Sequence, residues 1–91
     1  MITAHMAREI ADRQLENYGP GQYVIAGQME YPFGWVFGWL RNPATGLDPH
    51  DIYGNSPFIV DRRDGSVHSC GSGEELEDVI ERYSRTGSTE K

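Results

Sequence analysis

Between Thr3 and Asn17 the apolar residues Met6, Ala7, Ile10, Ala11 and Leu15 recur at steps of three and four. That period lays them along one stripe of a helix and leaves Arg8, Glu9, Asp12, Arg13 and Glu16 largely outside it. Thr3 is placed to cap the first turn. Asn17-Tyr18-Gly19-Pro20-Gly21 ends the helix, because glycine accepts positive φ and proline cannot continue the ladder. The period then changes to two. From Gln22 to Tyr31, the pattern predicts a strand with Tyr23, Ile25, Met29 and Tyr31 on one face and Val24, Ala26, Gln28 and Glu30 on the other, the second face turning wet toward its end. Tyr31-Pro32-Phe33-Gly34 reads as a turn, and Gly34-Trp35-Val36-Phe37-Gly38-Trp39-Leu40 returns antiparallel. Trp35, Phe37 and Trp39 share one face of this strand, Val36 and Leu40 the other. Both faces are apolar, which predicts a central strand packed on both sides, or packed on one with the other left for a partner. Gly34 suits a tight entry, and Gly38 a close approach or a bulge.

Residues 42–56 show no period. A connection of this length tends to be functional or mobile, and Asp48, Asp51 and Tyr53 would suit a binding surface, although a solvated linker is the plainer account. Pro57-Phe58-Ile59-Val60-Asp61 reads as a short apolar strand, Arg62-Arg63-Asp64-Gly65 as a hairpin turn, and Ser66-Val67-His68-Ser69-Cys70 as the returning strand. Ser72 with Glu75 forms a capping-box signature for a second helix running to about Tyr83, with Leu76, Val79, Ile80 and Tyr83 as its buried stripe. Helix, four antiparallel strands, helix is an α+β order, without the strand–helix alternation of a parallel sheet. The expected organisation is a single domain over residues 1–85 and a flexible tail over 86–91.

Composition narrows the partners. The chain has 91 residues, 37% of them hydrophobic, and a mean hydropathy of −0.60. Its aromatic content argues against disorder. Net charge is −6, which weighs against nucleic acid and permits docking to a basic protein. Residues 64–91 carry seven acids and three bases, the more acidic part. No apolar run approaches a membrane span, and no basic flank with an apolar run opens the chain, so neither a membrane partner nor a signal peptide is expected. The single cysteine, Cys70, excludes an internal disulfide and fits a reducing cytoplasm.

Most templates for chemistry fail. There is no phosphate loop with a basic anchor, no H-E-x-x-H and no paired-cysteine zinc motif, so no catalytic residue, metal or cofactor is expected. His68 and Cys70 would share a strand face but lack a third member. Asp48, His50 and Asp51 offer hard ligands that a solvated turn also explains. The remaining feature is acidity. Glu74, Glu75, Glu77, Asp78 and Glu81 crowd the second helix; the helix dipole accounts for Glu74 and Glu75 but less well for Glu77, Asp78 and Glu81.

Gly34-Trp35-Val36-Phe37, together with Asn55-Ser56-Pro57-Phe58-Ile59-Val60-Asp61-Arg62-Arg63-Asp64-Gly65-Ser66-Val67, resembles the immunity protein 35 (YrhB-like) family. The likeness covers roughly residues 5–83, with Gly54 or Asn55 at the small position before Pro57. It implies a bacterial cytoplasmic antidote that binds a cognate polymorphic toxin stoichiometrically and without catalysis. It also implies an alternative, a small heat-stable holdase, whose clients would meet an exposed face at Trp35, Phe37 and Trp39. In either case the motif residues look structural. The candidate contacts are therefore Asp48, Asp51 and Tyr53 of the long loop and Glu74, Glu77, Asp78 and Glu81 of the second helix. A homodimer through an exposed edge strand is also open.

Overall fold

The computed structural model describes residues 1–42, 57–71 and 73–89. Its elements are helix α1 (Ala4–Tyr18), strands β1 (Tyr23–Tyr31), β2 (Gly34–Arg41), β3 (Phe58–Asp61) and β4 (Val67–Ser69), and helix α2 (Leu76–Thr86). The strands form one antiparallel sheet in the order β1-β2-β3-β4. This is the expected α+β arrangement, with a helix on each face of the sheet.

Alternation along β2 and β3 builds two cores. Trp35 and Phe37 of β2, with Phe58 and Val60 of β3, point to the side of α1 and meet Ala7, Ala11 and Leu15. The two alanines let the helix lie close over large aromatic side chains, so small residues on the helix complement large ones on the sheet. Val36 and Ile59 point the other way and meet Cys70, Val79 and Tyr83. All four residues of β3 are buried. Thr3 caps α1 as expected, its hydroxyl accepting from the Met6 amide at 3.2 Å. Met6 itself does not join the buried stripe. It is 46% exposed, since the helix turns its alanine row to the sheet and leaves Met6 at the margin.

The expected single-face set of β1 is overturned. The register shifts between Ile25 and Gly27, where β1 has one residue more than β2. An extra residue reverses the parity of everything beyond it. Tyr23 and Ile25 therefore pack on the α1 side, whereas Tyr31 packs on the α2 side. Met29 lies opposite Val36, on that same α2 side. Gly38 faces Gly27 at the irregularity, in keeping with its expected place at a bulge.

The turn between β1 and β2 depends on Gly34. Its φ is +148°, and a Cβ there would sit 2.2 Å from the carbonyl oxygen of Val60. Only glycine lets β2 enter beside β3 at this distance. The Arg62 amide donates to the Phe33 carbonyl at 2.8 Å and ties this turn to the one between β3 and β4. Arg62 also lays its guanidinium 4.5 Å above the Trp35 ring and bonds Glu30 at 2.7 Å and the Tyr31 carbonyl at 3.0 Å. One side chain thus joins three strands.

Gly34→Ala is expected to lower folding stability by at least about 2 kcal/mol, seen as a fall in the urea midpoint. Gly27→Ala, where a Cβ meets nothing within 4 Å, is expected to change it by under about 0.5 kcal/mol. Equal effects would contradict the close approach at Gly34.

Candidate functional site

Helix α2 is held by one buried polar cluster. Asp61 closes β3 on the α2 side of the sheet and is 2% exposed. Its carboxylate accepts from the Tyr83 hydroxyl at 2.6 Å, the Arg63 amide at 2.8 Å, and Arg63 Nη2 and Nε at 3.1 and 3.2 Å. Burial alone would push the carboxyl up. The donors of Arg63 and Tyr83 outweigh it and hold the group at about 2. Burial, and then the bond to Asp61, raise the Tyr83 phenol. Tyr83 also meets Phe33 edge to face at 4.9 Å, and Phe33 stacks on Tyr31 at 5.3 Å. The helix surface is thus fixed in orientation from its third turn, and its acidic side is presented on a rigid element.

The acids differ in how they are engaged. The helix begins at Leu76 with Glu75 as its N-cap, and Glu75 makes no side-chain capping bond. The expected capping box is therefore not formed as read. Glu75 stands at the cap position instead of three residues inside, and Ser72 lies outside the described residues. Glu74 precedes the helix and makes a mostly buried two-pronged ion pair with Arg82. Its place is explained by that arginine and not by the helix dipole. Glu81 pairs with Arg85 one turn on, at 3.1 and 3.3 Å; these bonds, and then the charge of Arg85, lower its carboxyl. Glu77 and Asp78 sit in the first turn, exposed, with no side-chain hydrogen bond or ion pair among the described residues. Of the four helix residues expected to form one acidic face, two carry their own arginine and two remain open. Asp48, Asp51 and Tyr53 lie outside the described residues.

His68 and Cys70 do share the α2 side. The His68 Nε2 lies 2.8 Å from the Ser66 hydroxyl and its ring 5.3 Å from that of Tyr83. Cys70 is 8% exposed, and burial pushes its thiol up to about 11, which keeps it protonated at neutral pH. Among the described residues no group of three or more His, Cys, Asp or Glu side chains could hold a metal ion. Two of the three residues of the face expected to serve unfolded clients are covered by α1, Trp35 at 1% and Phe37 at 0% exposed, while Trp39 is half-buried against Tyr18 and Tyr23. No described helix is long and apolar enough to cross a membrane. Beyond α2, Gly87 caps the helix in the left-handed conformation, and the Thr89 carbonyl accepts from Arg82 at 3.0 Å. The helix includes Thr86, the first residue of the expected tail.

The sequence pattern ends a strand at Asp61 and starts a hairpin turn at Arg62, as observed, but it assigns Asp61 no part in holding α2. The available signal is parity: a carboxylate two residues after Ile59 faces the same core.

These features define a small α+β domain with a helix clamped on each side of a four-stranded meander. The chain is 32% identical over 85 residues to uncharacterized protein YrhB of Escherichia coli (strain K12), covering 91% of this chain and 89% of that protein. It belongs to the YrhB family. No family model and no solved structure matches it.

The Asp61 cluster makes stability depend on pH. Its carboxyl titrates below the ordinary value of 3.8 in the folded chain, so its contribution is complete above that range and is lost as pH falls toward about 2. Asp61→Asn is expected to remove on the order of 2 kcal/mol at neutral pH and to flatten this acid limb in urea titrations. Tyr83→Phe is expected to cost about 1.5–3 kcal/mol, the worth of a hydrogen bond to a charged group.

Proposed function

We propose that this chain is an immunity protein, a cytoplasmic antidote that binds a cognate toxin domain one to one and blocks it without catalysis. The reading is supported by where the family motif residues are used. Trp35 and Phe37 fill the core, Gly34 admits β2, and Asp61 clamps α2. The observation that carries the reading is the exposed pair Glu77 and Asp78, held on a helix that this clamp makes rigid. Open carboxylates on a fixed element steer a basic partner and lose little freedom on binding.

Glu74 and Glu81, already paired with arginines, contribute less to that field than the sequence suggests. The holdase alternative would need surface other than Trp35 and Phe37. Met6, Tyr18 and Met29, 45–46% exposed, are its apolar starting points.

Capture from the native host with this chain as bait is expected to yield one dominant partner in equal ratio, ending in a toxin-like domain. A broad set of heat-sensitive clients would favour the holdase. Replacing Glu77 and Asp78 by Gln and Asn is expected to slow association several-fold at low salt, with the difference vanishing near ~0.5 M salt. An unchanged on-rate in stopped-flow mixing would remove the steering role.

A further inference from the structure

Three of the chain's eight basic residues converge on one cleft. Arg62, Arg63 and Arg85 line a cavity of about 550 Å³ between the β1–β2 turn, the β3–β4 turn and the C-terminal end of α2. Pro32 and Phe33 supply an apolar wall, and Ser84 to Gly87 bring the end of the helix to its border. Asp61 and Tyr83 also line it, but the Asp61 carboxylate is saturated by the Tyr83 hydroxyl and by three donors of Arg63. It is therefore not an acceptor for a cationic ligand.

The arginines retain capacity. Arg62 Nη2 is used on Glu30 and the Tyr31 carbonyl, while Arg63 and Arg85 turn their Nε and Nη2 edges to Asp61 and Glu81. The Nη1 group of each makes no hydrogen bond among the described residues. The side chains of Arg63 and Arg85 are 76% and 64% exposed. An exposed pair such as Arg85–Glu81 is weak enough to exchange its carboxylate for another. The last turn of a helix also presents carbonyls that lack an intrahelical donor, and these accept peptide N–H groups. Guanidinium edges for a carboxylate, carbonyls for amides and a ring for an apolar side chain together describe a peptide and not a bare anion.

We propose that this cleft receives an acidic peptide segment of the protein partner, with a carboxylate on Arg63 and Arg85 and an apolar side chain against Phe33. The proposal rests on the partner-binding reading and deepens it. The open acids stand at the N-terminal end of α2 and the arginine cleft at its C-terminal end, so the two charges would fix the partner's orientation along the helix.

The test is a two-dimensional NMR titration of the labelled chain with acetyl-Glu-Phe-Glu-amide, alongside acetyl-Gln-Phe-Gln-amide and inorganic phosphate. The acidic peptide is expected to shift the amides of Phe33, Arg63 and Gly87 saturably. The neutral peptide, and the Arg85→Gln variant with the acidic one, are expected to bind roughly tenfold more weakly. No shift at the cleft, equal binding by the neutral peptide, or equal binding by phosphate would overturn the proposal. Undiminished capture of the partner by the Arg85→Gln chain would also overturn it and would leave the antidote reading standing. Peptide binding at the cleft with no partner captured from the host would support the cleft and count against that reading.

Discussion

A buried carboxylate governs how this domain is assembled. Asp61 could not remain charged at 2% exposure without its donors, and those donors come from two places that the sequence separates. Arg63 is two residues away in the same hairpin; Tyr83 is on the far helix. Satisfying the charge therefore requires α2 to dock in one orientation and the β3–β4 turn to close in one conformation. Apolar burial at Val79 and Ile59 drives the association but does not fix the rotation of the helix; the hydrogen bonds do.

The sheet is constrained from the opposite end. Gly34 admits β2 beside β3, Arg62 ties the two turns together, and the irregularity at Gly27 reassigns the far half of β1 to the α2 side. Tyr31 thereby joins Phe33 and Tyr83 in one aromatic contact chain. Without the extra residue in β1, Tyr31 would fall on the α1 side and Phe33 would lose its stacking partner. The bulge and the Asp61 clamp thus serve the same interface.

Charge is arranged along α2 in a way that net charge conceals. Its first turn carries Glu77 and Asp78, and its last turn carries Arg85, each complementing the helix dipole. Glu74 and Glu81 are drawn into ion pairs with Arg82 and Arg85. The result is an element acidic at one end and basic at the other.

Periodicity together with local turn and capping residues determined the element order, the central position of β2, the Thr3 cap and the two-sided packing of Trp35 and Val36, because each follows from neighbouring residues and a burial requirement. The α+β class followed from that order. The parity of β1 was not legible, since a bulge is settled by pairing with β2 and leaves no mark in local spacing beyond a glycine. The start of α2 was misread for a similar reason: Glu74 answers to Arg82, and only the folded chain brings that pair together in mostly buried surroundings. Which acids remain open, and that three arginines from one turn and a helix end share one cleft, are tertiary facts. Charge acts through space, and the sequence orders these side chains only along the chain.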